Sequence, residues 1–448
     1  MQQHHAETRK IGPTRTPTAE ALSRACKPDG TPDDEDRVEI GPTALAFEEW
    51  REAGLEMPHL PALRRARWER LVAALQARDY GGVLMFDPLN IRYATDTTNM
   101  QLWNAHNPFR ACFIAADGTM IMWDFKANDL LTGFNPLVRE TRGGASMFYF
   151  VCGDLIEQDA ANFAGEIDSL LRTHAGGNRR LAVDKIMIHG LRALERLGVE
   201  VMDGEELCER TRAVKTVEEI KAMRCAVHAC ERTLAVMRDA VEPGITENDI
   251  WAVMHSENIR RGGEWIETRI LSSGPRTNPW FQESGPRRLK EGDLLAFDTD
   301  LIGCYGLCTD ISRTWLVGER PASDEQKRLF EVALHQIEDS IPELRPGRTL
   351  PEIVQTCPPL PEEFVAQRYS CRMHGVGMCD EWPIVRYRED YRPGEYEIVL
   401  EPGMMLCVET YIGAVGGKHG IKLEDQILIT EQGPERLTHV PHDSRLLG

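Results

Sequence analysis

In four segments of the C-terminal half, acidic or imidazole side chains interrupt stretches that otherwise read as buried strands. LLAFDTDLIGCYGLCTDISRTW carries Asp298, Asp300 and Asp310; RMHGVGMCDEWP carries His374 and Asp380; LEPGMMLCVETYIG carries Glu409; GIKLEDQILITEQGP carries Glu424. Asp298 follows Leu-Leu-Ala-Phe and Glu409 follows Leu-Cys-Val, so both carboxylates fall on apolar strands. A charge buried there is costly unless an opposite charge compensates it. Gathered without cations, Asp298, Asp300, Asp310, Glu409 and Glu424 would force several of their number to take up protons. Two divalent ions would offset about four of those charges. A donor set of oxygens with one imidazole suits Mn, Fe, Co or Zn better than a thiolate site would. Any single segment is weakly specific, because Asp-x-Asp pairs and lone histidines are common as solvated groups at strand ends. The four together, in this order, point to an enzyme with a dinuclear metal site.

The elements that must position these groups follow from the spacing. The first 45 residues are polar and rich in Pro and Gly (GPTRTPTAE, KPDGTPDDED), which reads as an extended arm, loose or laid on a partner subunit. From Leu63, RRARWERLVAALQARDY has helical spacing, and GGVLMF reads as a buried strand. DPLNIRYAT, FRACFIAADGTMIMWD and RRLAVDKI continue the alternation, predicting an α/β domain over 46–210. A linker-like TRAVK leads to Thr216-Val-Glu-Glu219, a capping box that satisfies the first free amides of a helix running to about Val241. GITEND starts another helix at Thr246, and SDEQ opens one over about 323–340. The polar segments then fall in a second domain, 211–448.

At 448 residues the chain is long enough for two domains with separate cores. Its formal net charge of −19, from 52 basic and 71 acidic residues, argues against a nucleic-acid or acidic-membrane partner, either of which calls for a basic face. The twelve cysteines are scattered, with no CxxC pair, and read as thiols kept in a reducing compartment. MQQHHAETRK lacks the apolar stretch of a secretory signal, and no run approaches a membrane span. The expected location is the cytoplasm.

The four segments resemble those of the pita-bread metalloenzymes, the family of aminopeptidase P, prolidase, methionine aminopeptidase and metal-free creatinase. HGVG, LEPGM and the GIKLED stretch ending in TEQGPERLT are specific local matches, and the likeness runs over about 60–440, taking in RRARWERL, DPLNIRYAT and the AVKTVEEIKAMR junction. It implies a creatinase-like N-terminal domain, a pita-bread catalytic domain of mixed α/β (α+β) class, and a homodimer. The family's Asp, Asp, His, Glu, Glu ligands match Asp298, Asp310, His374, Glu409 and Glu424, with Asp310 and Glu424 implied as the bridging pair.

Two departures from the peptidases bear on chemistry. The peptidases hold a histidine before the first Asp and another beyond HGxG. Here TNPWFQ places Trp280 at the first, and HGVGMCDEW offers Asp380 at the second. Losing both removes donors for a developing oxyanion and a leaving amine. The sequence is similar instead to the dimethylsulfoniopropionate (DMSP) lyase branch of the fold, in its Asp-Thr-Asp start, in Tyr369 five residues before His374, and in Asp380. That branch implies Asp298, Asp300, Asp310, His374, Glu409 and Glu424 as metal ligands, with iron first and Zn, Mn, Co, Ni or Cu as alternatives. It also implies elimination of dimethyl sulfide from DMSP to leave acrylate, with Asp380 as base. The sulfonium cation would favour aromatic faces, for which Tyr369, Trp280 and Trp103 are the candidates. A prolidase-like hydrolase acting on a small amide, and a non-enzymatic binding module, are the alternatives.

Overall fold

The computed structural model describes residues 25–447, apart from 36, 39, 126–128, 396 and 397. Most of the expected polar arm therefore lies outside the described residues. The chain divides into two compact units, Pro58–Ile220 and a second made of the segment up to Met57 with the chain from Lys221 onward. The sequence boundaries of 46 and 210 differ from these. Residues 46–57 group with the C-terminal unit because the helix Ala44–Glu52 is anchored there: the Trp50 indole N–H donates to the Cys225 carbonyl at 2.8 Å, and Glu49 pairs with Arg261 at 2.8 Å.

The unit Pro58–Ile220 is a mixed sheet backed by helices. Strands β1 (Gly82–Met85), β2 (Ala111–Ala115), β3 (Met120–Asp124), β4 (Val138–Gly143), β5 (Arg180–Val183) and β6 (Glu200–Asp203) lie in the order β4-β3-β2-β1-β5-β6. β1, β2 and β3 pair antiparallel, whereas β1, β5 and β6 pair parallel. The helix Ile156–His174 places Phe163, Ile167 and Leu171 against Phe113, Trp123 and Leu181, burial on the order of 1.5–3 kcal/mol for each large side chain. The capping box expected at Thr216 is present. The Thr216 amide donates to the Glu219 carboxylate at 2.8 Å, and the Glu219 amide to the Thr216 hydroxyl at 3.2 Å. Trp103 belongs to this unit, packed among Phe109, Phe125, Phe148 and Phe150 at centroid distances of 5.8–6.5 Å.

In the C-terminal unit two short sheets and one larger sheet carry the polar segments. β7 (Trp265–Ile266), β10 (Leu301–Ile302) and β11 (Cys308–Thr309) form the order β11-β10-β7; β8 (Leu271–Ser273), β9 (Leu294–Phe297) and β12 (Arg313–Leu316) form β12-β9-β8. β13 (Met373–Val376), β14 (Asp380–Val385), β15 (Met405–Ile412), β16 (Ile421–Thr430) and β17 (Gly433–Arg436) form β14-β13-β15-β16-β17, all antiparallel. The Thr314 hydroxyl accepts from the Lys422 amide at 3.0 Å and donates to its carbonyl at 2.9 Å, while the Glu424 amide donates to the Ser312 carbonyl at 3.2 Å, so β12 lies along β16. The helices Val217–Asp239 and Glu247–Arg260 bury Leu234, Met237, Ile250 and Met254 with Leu295, Phe297 and Trp315 of the short sheets. The helix Asp324–Ser340 packs on β15 and β16. Capping boxes at Thr246 and Ser323 fix where two of these helices start.

One buried pair secures the strand that carries Glu424. The Arg313 guanidinium donates to Asp425 Oδ1 at 2.7 Å, to the Glu424 carbonyl at 2.8 Å and to the Val440 carbonyl at 2.8 Å, and both charged side chains are almost wholly enclosed. Removing the cation leaves the Asp425 charge in a dry interior. Arg313→Met is expected to destabilise the C-terminal unit by about 3–5 kcal/mol, read as a lowered denaturant midpoint, with Arg313→Met/Asp425→Leu recovering much of the loss.

Candidate metal centre

Strand pleating decides which groups meet. In β16, residues two apart share a face, so Lys422 and Glu424 point one way and Asp425 the other. Across the ladder Glu409 of β15 stands opposite Glu424, and Cys407 stands opposite His374 of β13. His374 precedes a register shift, and at Gly375 a Cβ would meet the Trp382 carbonyl at 2.5 Å. The HGVG motif thus lets β14 approach close enough to bring Asp380 beside the imidazole. Asp298 follows β9 directly, and Asp310 follows β11. Between them Asp300 adopts φ 39°, a left-handed conformation that Asp tolerates better than most residues. The Thr268 hydroxyl donates to its side chain, and its carbonyl accepts from the Glu267 amide at 3.1 Å, so the turn is held in this orientation.

These elements bring the acids into two sets, Asp298 with Asp300 and Asp310, and Asp310 with His374, Cys407 and Glu424. Within each set one ligand atom per residue lies within 4.8 Å of all the others, and Asp310 is common to both. The His374 Nδ1–H is 2.9 Å from the Gly375 carbonyl, which leaves Nε2 facing Asp310 at 3.4 Å, Glu409 at 3.5 Å and Glu424 at 3.3 Å. Asp310 Oδ1 and Glu424 Oε1 are buried without a hydrogen-bond partner. Buried carboxylate oxygens that lack donors, beside a free imidazole nitrogen, fit a divalent cation.

The electrostatics agree. Burial pushes the Asp300 and Asp310 carboxyls well above the usual carboxylate range, and neighbouring acids add to the effect. Burial likewise carries Glu409 up to about 7 against the pull of Lys422. Glu424 is the exception. Burial acts upward on it too, but Lys422 and His374 together hold it well below the ordinary range.

Asp380 lies at the rim. It opens β14, its side chain is 47% exposed, and Oδ1 is 3.8 Å from His374 Nδ1. Partial desolvation raises its carboxyl, His374 opposes this, and Glu424 and Asp298 reinforce it. Tyr369 is half-buried, stacks on Phe281 at 5.1 Å, and lines a cleft of about 530 Å³ with Arg368, Arg386 and Arg392. Trp280 is only 6% exposed, stacks on Tyr411 at 5.9 Å and has the Lys422 ammonium 5.9 Å from its ring centroid. Trp103 lies in the other unit.

Sequence reasoning missed Lys422, Ser312 and two thiols. Lys422 is fully buried; its Nζ lies 3.0 Å from Asp298, 2.9 Å from Glu409 and 2.8 Å from Glu424, and 4.6 Å from the Tyr369 ring centroid. The Ser312 hydroxyl lies 2.6 Å from Asp298 Oδ1 and 2.9 Å from Glu424 Oε2. Cys371 donates to Glu409 at 2.9 Å, and Cys407 joins the imidazole set. The available signal was periodicity: Lys422 precedes Glu424 by two residues, as Cys407 precedes Glu409.

Fold and site together define a protein of the pita-bread, metallopeptidase M24 class. Residues 221–431 match the model of Metallopeptidase family M24. A Xaa-Pro dipeptidase from Bacillus anthracis superposes with a TM-score of 0.67 at 21% identity, over 84% of this chain and 98% of its own, which speaks for the fold. Over the full length of both chains, the sequence is 57% identical to dimethylsulfoniopropionate lyase DddP of Roseovarius nubinhibens and 54% identical to that of Roseobacter denitrificans. The chain belongs to the DddP family within the M24 fold.

A carboxyl pushed up to about 7, as that of Glu409 is, keeps part of its proton near neutral pH, and a bound cation must expel it. Titrating a divalent metal into chelator-stripped protein at pH 7 is expected to release protons. Calorimetry in buffers of different ionisation enthalpy would reveal them as a buffer-dependent heat; a buffer-independent heat would contradict this electrostatic picture.

Proposed function

We propose that the chain is a DMSP lyase that eliminates dimethyl sulfide from DMSP and leaves acrylate. The observation that carries this reading is the full-length likeness to two proteins named for that activity, against a weaker and partial sequence likeness to dipeptidases. Asp298, Asp300, Asp310, His374, Glu409 and Glu424 would hold two divalent ions, iron first, with Zn, Mn, Co, Ni or Cu as alternatives. So bound, the pair would neutralise the substrate carboxylate and stabilise the enediolate-like charge that builds up as the neighbouring C–H is broken.

The rest falls to the chain's own groups. Asp380 opens β14 at the rim with its side chain 47% exposed, so its carboxylate would take the proton from the carbon next to the substrate carboxylate. The electron pair released forms the carbon–carbon double bond as the carbon–sulfur bond breaks, and the sulfur leaves with that bond's electrons as neutral dimethyl sulfide. A neutral sulfide needs no acid on departure, which suits a site whose acid cluster holds one imidazole among the described residues. Tyr369, half-buried and lining the cleft, would offer its ring to the sulfonium, a contact worth about 0.5–2 kcal/mol. A homodimer in the cytoplasm completes the reading and rests on family likeness. No helix among the described residues is long and apolar enough to cross a membrane.

Headspace assay of purified protein with DMSP, with and without chelator, tests the whole. Dimethyl sulfide that disappears on chelation is expected; proline released from a Xaa-Pro dipeptide, with no dimethyl sulfide, would favour the hydrolase. Asp380→Ala is expected to lower kcat by about two to four orders of magnitude while metal content by elemental analysis stays near wild type. Retained turnover would remove Asp380 as the base. Tyr369→Phe is expected to weaken kcat/KM; an unchanged value would leave Tyr369 a packing residue.

A further inference from the structure

The two glutamates of the cage are divided between two nitrogen groups. His374 Nε2 faces the Oε1 atoms of Glu409 and Glu424, at 3.5 and 3.3 Å. Lys422 Nζ takes their Oε2 atoms, at 2.9 and 2.8 Å. Asp298 is split in the same manner, its Oδ2 to Lys422 at 3.0 Å and its Oδ1 to the Ser312 hydroxyl at 2.6 Å. Ser312 lies 2.9 Å from Lys422 Nζ, so ammonium and hydroxyl form one buried clamp beneath three carboxylates. An ammonium that donates to Asp298, Glu424 and Ser312 and pairs with Glu409 constrains the rotamers of these acids as well as their charge.

We propose that Lys422 is a positioning residue of the metal centre, holding one oxygen each of Asp298, Glu409 and Glu424 so that Oε1 of both glutamates is presented on the His374 side. Its ammonium lies 4.6 Å from the Tyr369 ring centroid and 5.9 Å from that of Trp280, so the same group also braces the aromatic wall. This inference rests on the reading that these acids hold metal. A lysine in this role acts through its neighbours. Its loss should change how tightly and in what geometry a metal is held, beyond any general loss of stability.

The test uses the full chain, stripped by chelator and titrated with Co²⁺ in competition with a chromophoric chelator. Lys422→Met is expected to weaken Co²⁺ binding by about tenfold or more and to alter the visible spectrum of the bound ion, which reports its ligand geometry. Thermal melts of the stripped and loaded forms run alongside. A purely structural lysine would lower both midpoints equally and leave affinity and spectrum unchanged, and that outcome overturns the inference. So does tighter Co²⁺ binding, which would make Lys422 a competing charge instead of a clamp. If Lys422→Met fails to fold, Lys422→Gln, which keeps donors but not charge, is expected to weaken binding several-fold with the same spectral change, and wild-type behaviour in it is equally fatal. Wild-type protein that binds no Co²⁺ at all would defeat the metal reading, whereas binding by wild type with an unaltered variant defeats this inference alone.

Discussion

Mutual repulsion among buried carboxylates is the constraint on which the C-terminal unit depends. Two like charges 4 Å apart cost about 4 kcal/mol at an effective dielectric of 20, and this pocket gathers the oxygens of Asp298, Asp300 and Asp310 within 4.8 Å of one another. Such a cluster is intolerable unless protons or cations answer it. The strands provide part of the answer themselves. Glu424 faces the cage with Lys422 on its own side of β16, while Asp425, on the opposite face, is answered by Arg313. Adjacent acids in one strand thus have separate counter-charges in separate compartments, and neither can be moved without exposing a charge to a dry interior.

The rest of the unit follows from keeping that arrangement fixed. β12 lies along β16 through Thr314 and Ser312, and the same Ser312 whose carbonyl receives the Glu424 amide also offers its hydroxyl to Asp298 and Glu424. Backbone register and cage geometry are therefore set by the same residues. Gly375 serves the other edge, where only a missing Cβ lets β13 and β14 close up with His374 and Asp380 on the pocket side. Asp300 shows what this costs, a non-glycine residue at φ 39° held by Thr268 and the Glu267 amide so that one more carboxylate reaches the set.

Much of this was legible in the sequence, and for identifiable reasons. Carboxylates inside apolar runs are conspicuous because burial penalises them, so Asp298, Asp310, Glu409 and Glu424 could be singled out before any coordinates. The capping boxes at Thr216, Thr246 and Ser323 marked helix starts through purely local chemistry. Lys422 escaped because a lysine in a charged-looking GIKLED stretch reads as solvent-facing unless the strand is known to be covered on both sides, and the helix Asp324–Ser340 that covers β16 is remote in sequence. The surroundings of Trp280 were not legible for a related reason. Its type suggested a cation-binding face, but the ring is enclosed against Tyr411, a contact between residues 131 positions apart that no local pattern reveals. The allocation of residues 46–57 also depended on distant partners, Cys225 and Arg261.

The same frame serves hydrolysis or elimination according to what surrounds the acids. Amide hydrolysis needs a proton for the departing amine and donors for an oxyanion, roles that call for acids or hydrogen-bond donors near neutral pH. Elimination from a sulfonium needs one base and a way to make a carbon acid less reluctant, because the leaving group departs neutral. Around this cage the described neighbours include a half-exposed carboxylate, an aromatic wall, the Ser312 hydroxyl, the Cys371 and Cys407 thiols and a lysine paired with three acids. Lys422 is engaged by Asp298, Ser312 and Glu424 and paired with Glu409, while Asp380 stands at the open rim. Which reaction the site serves thus turns less on the carboxylates it gathers than on the groups that stand round them.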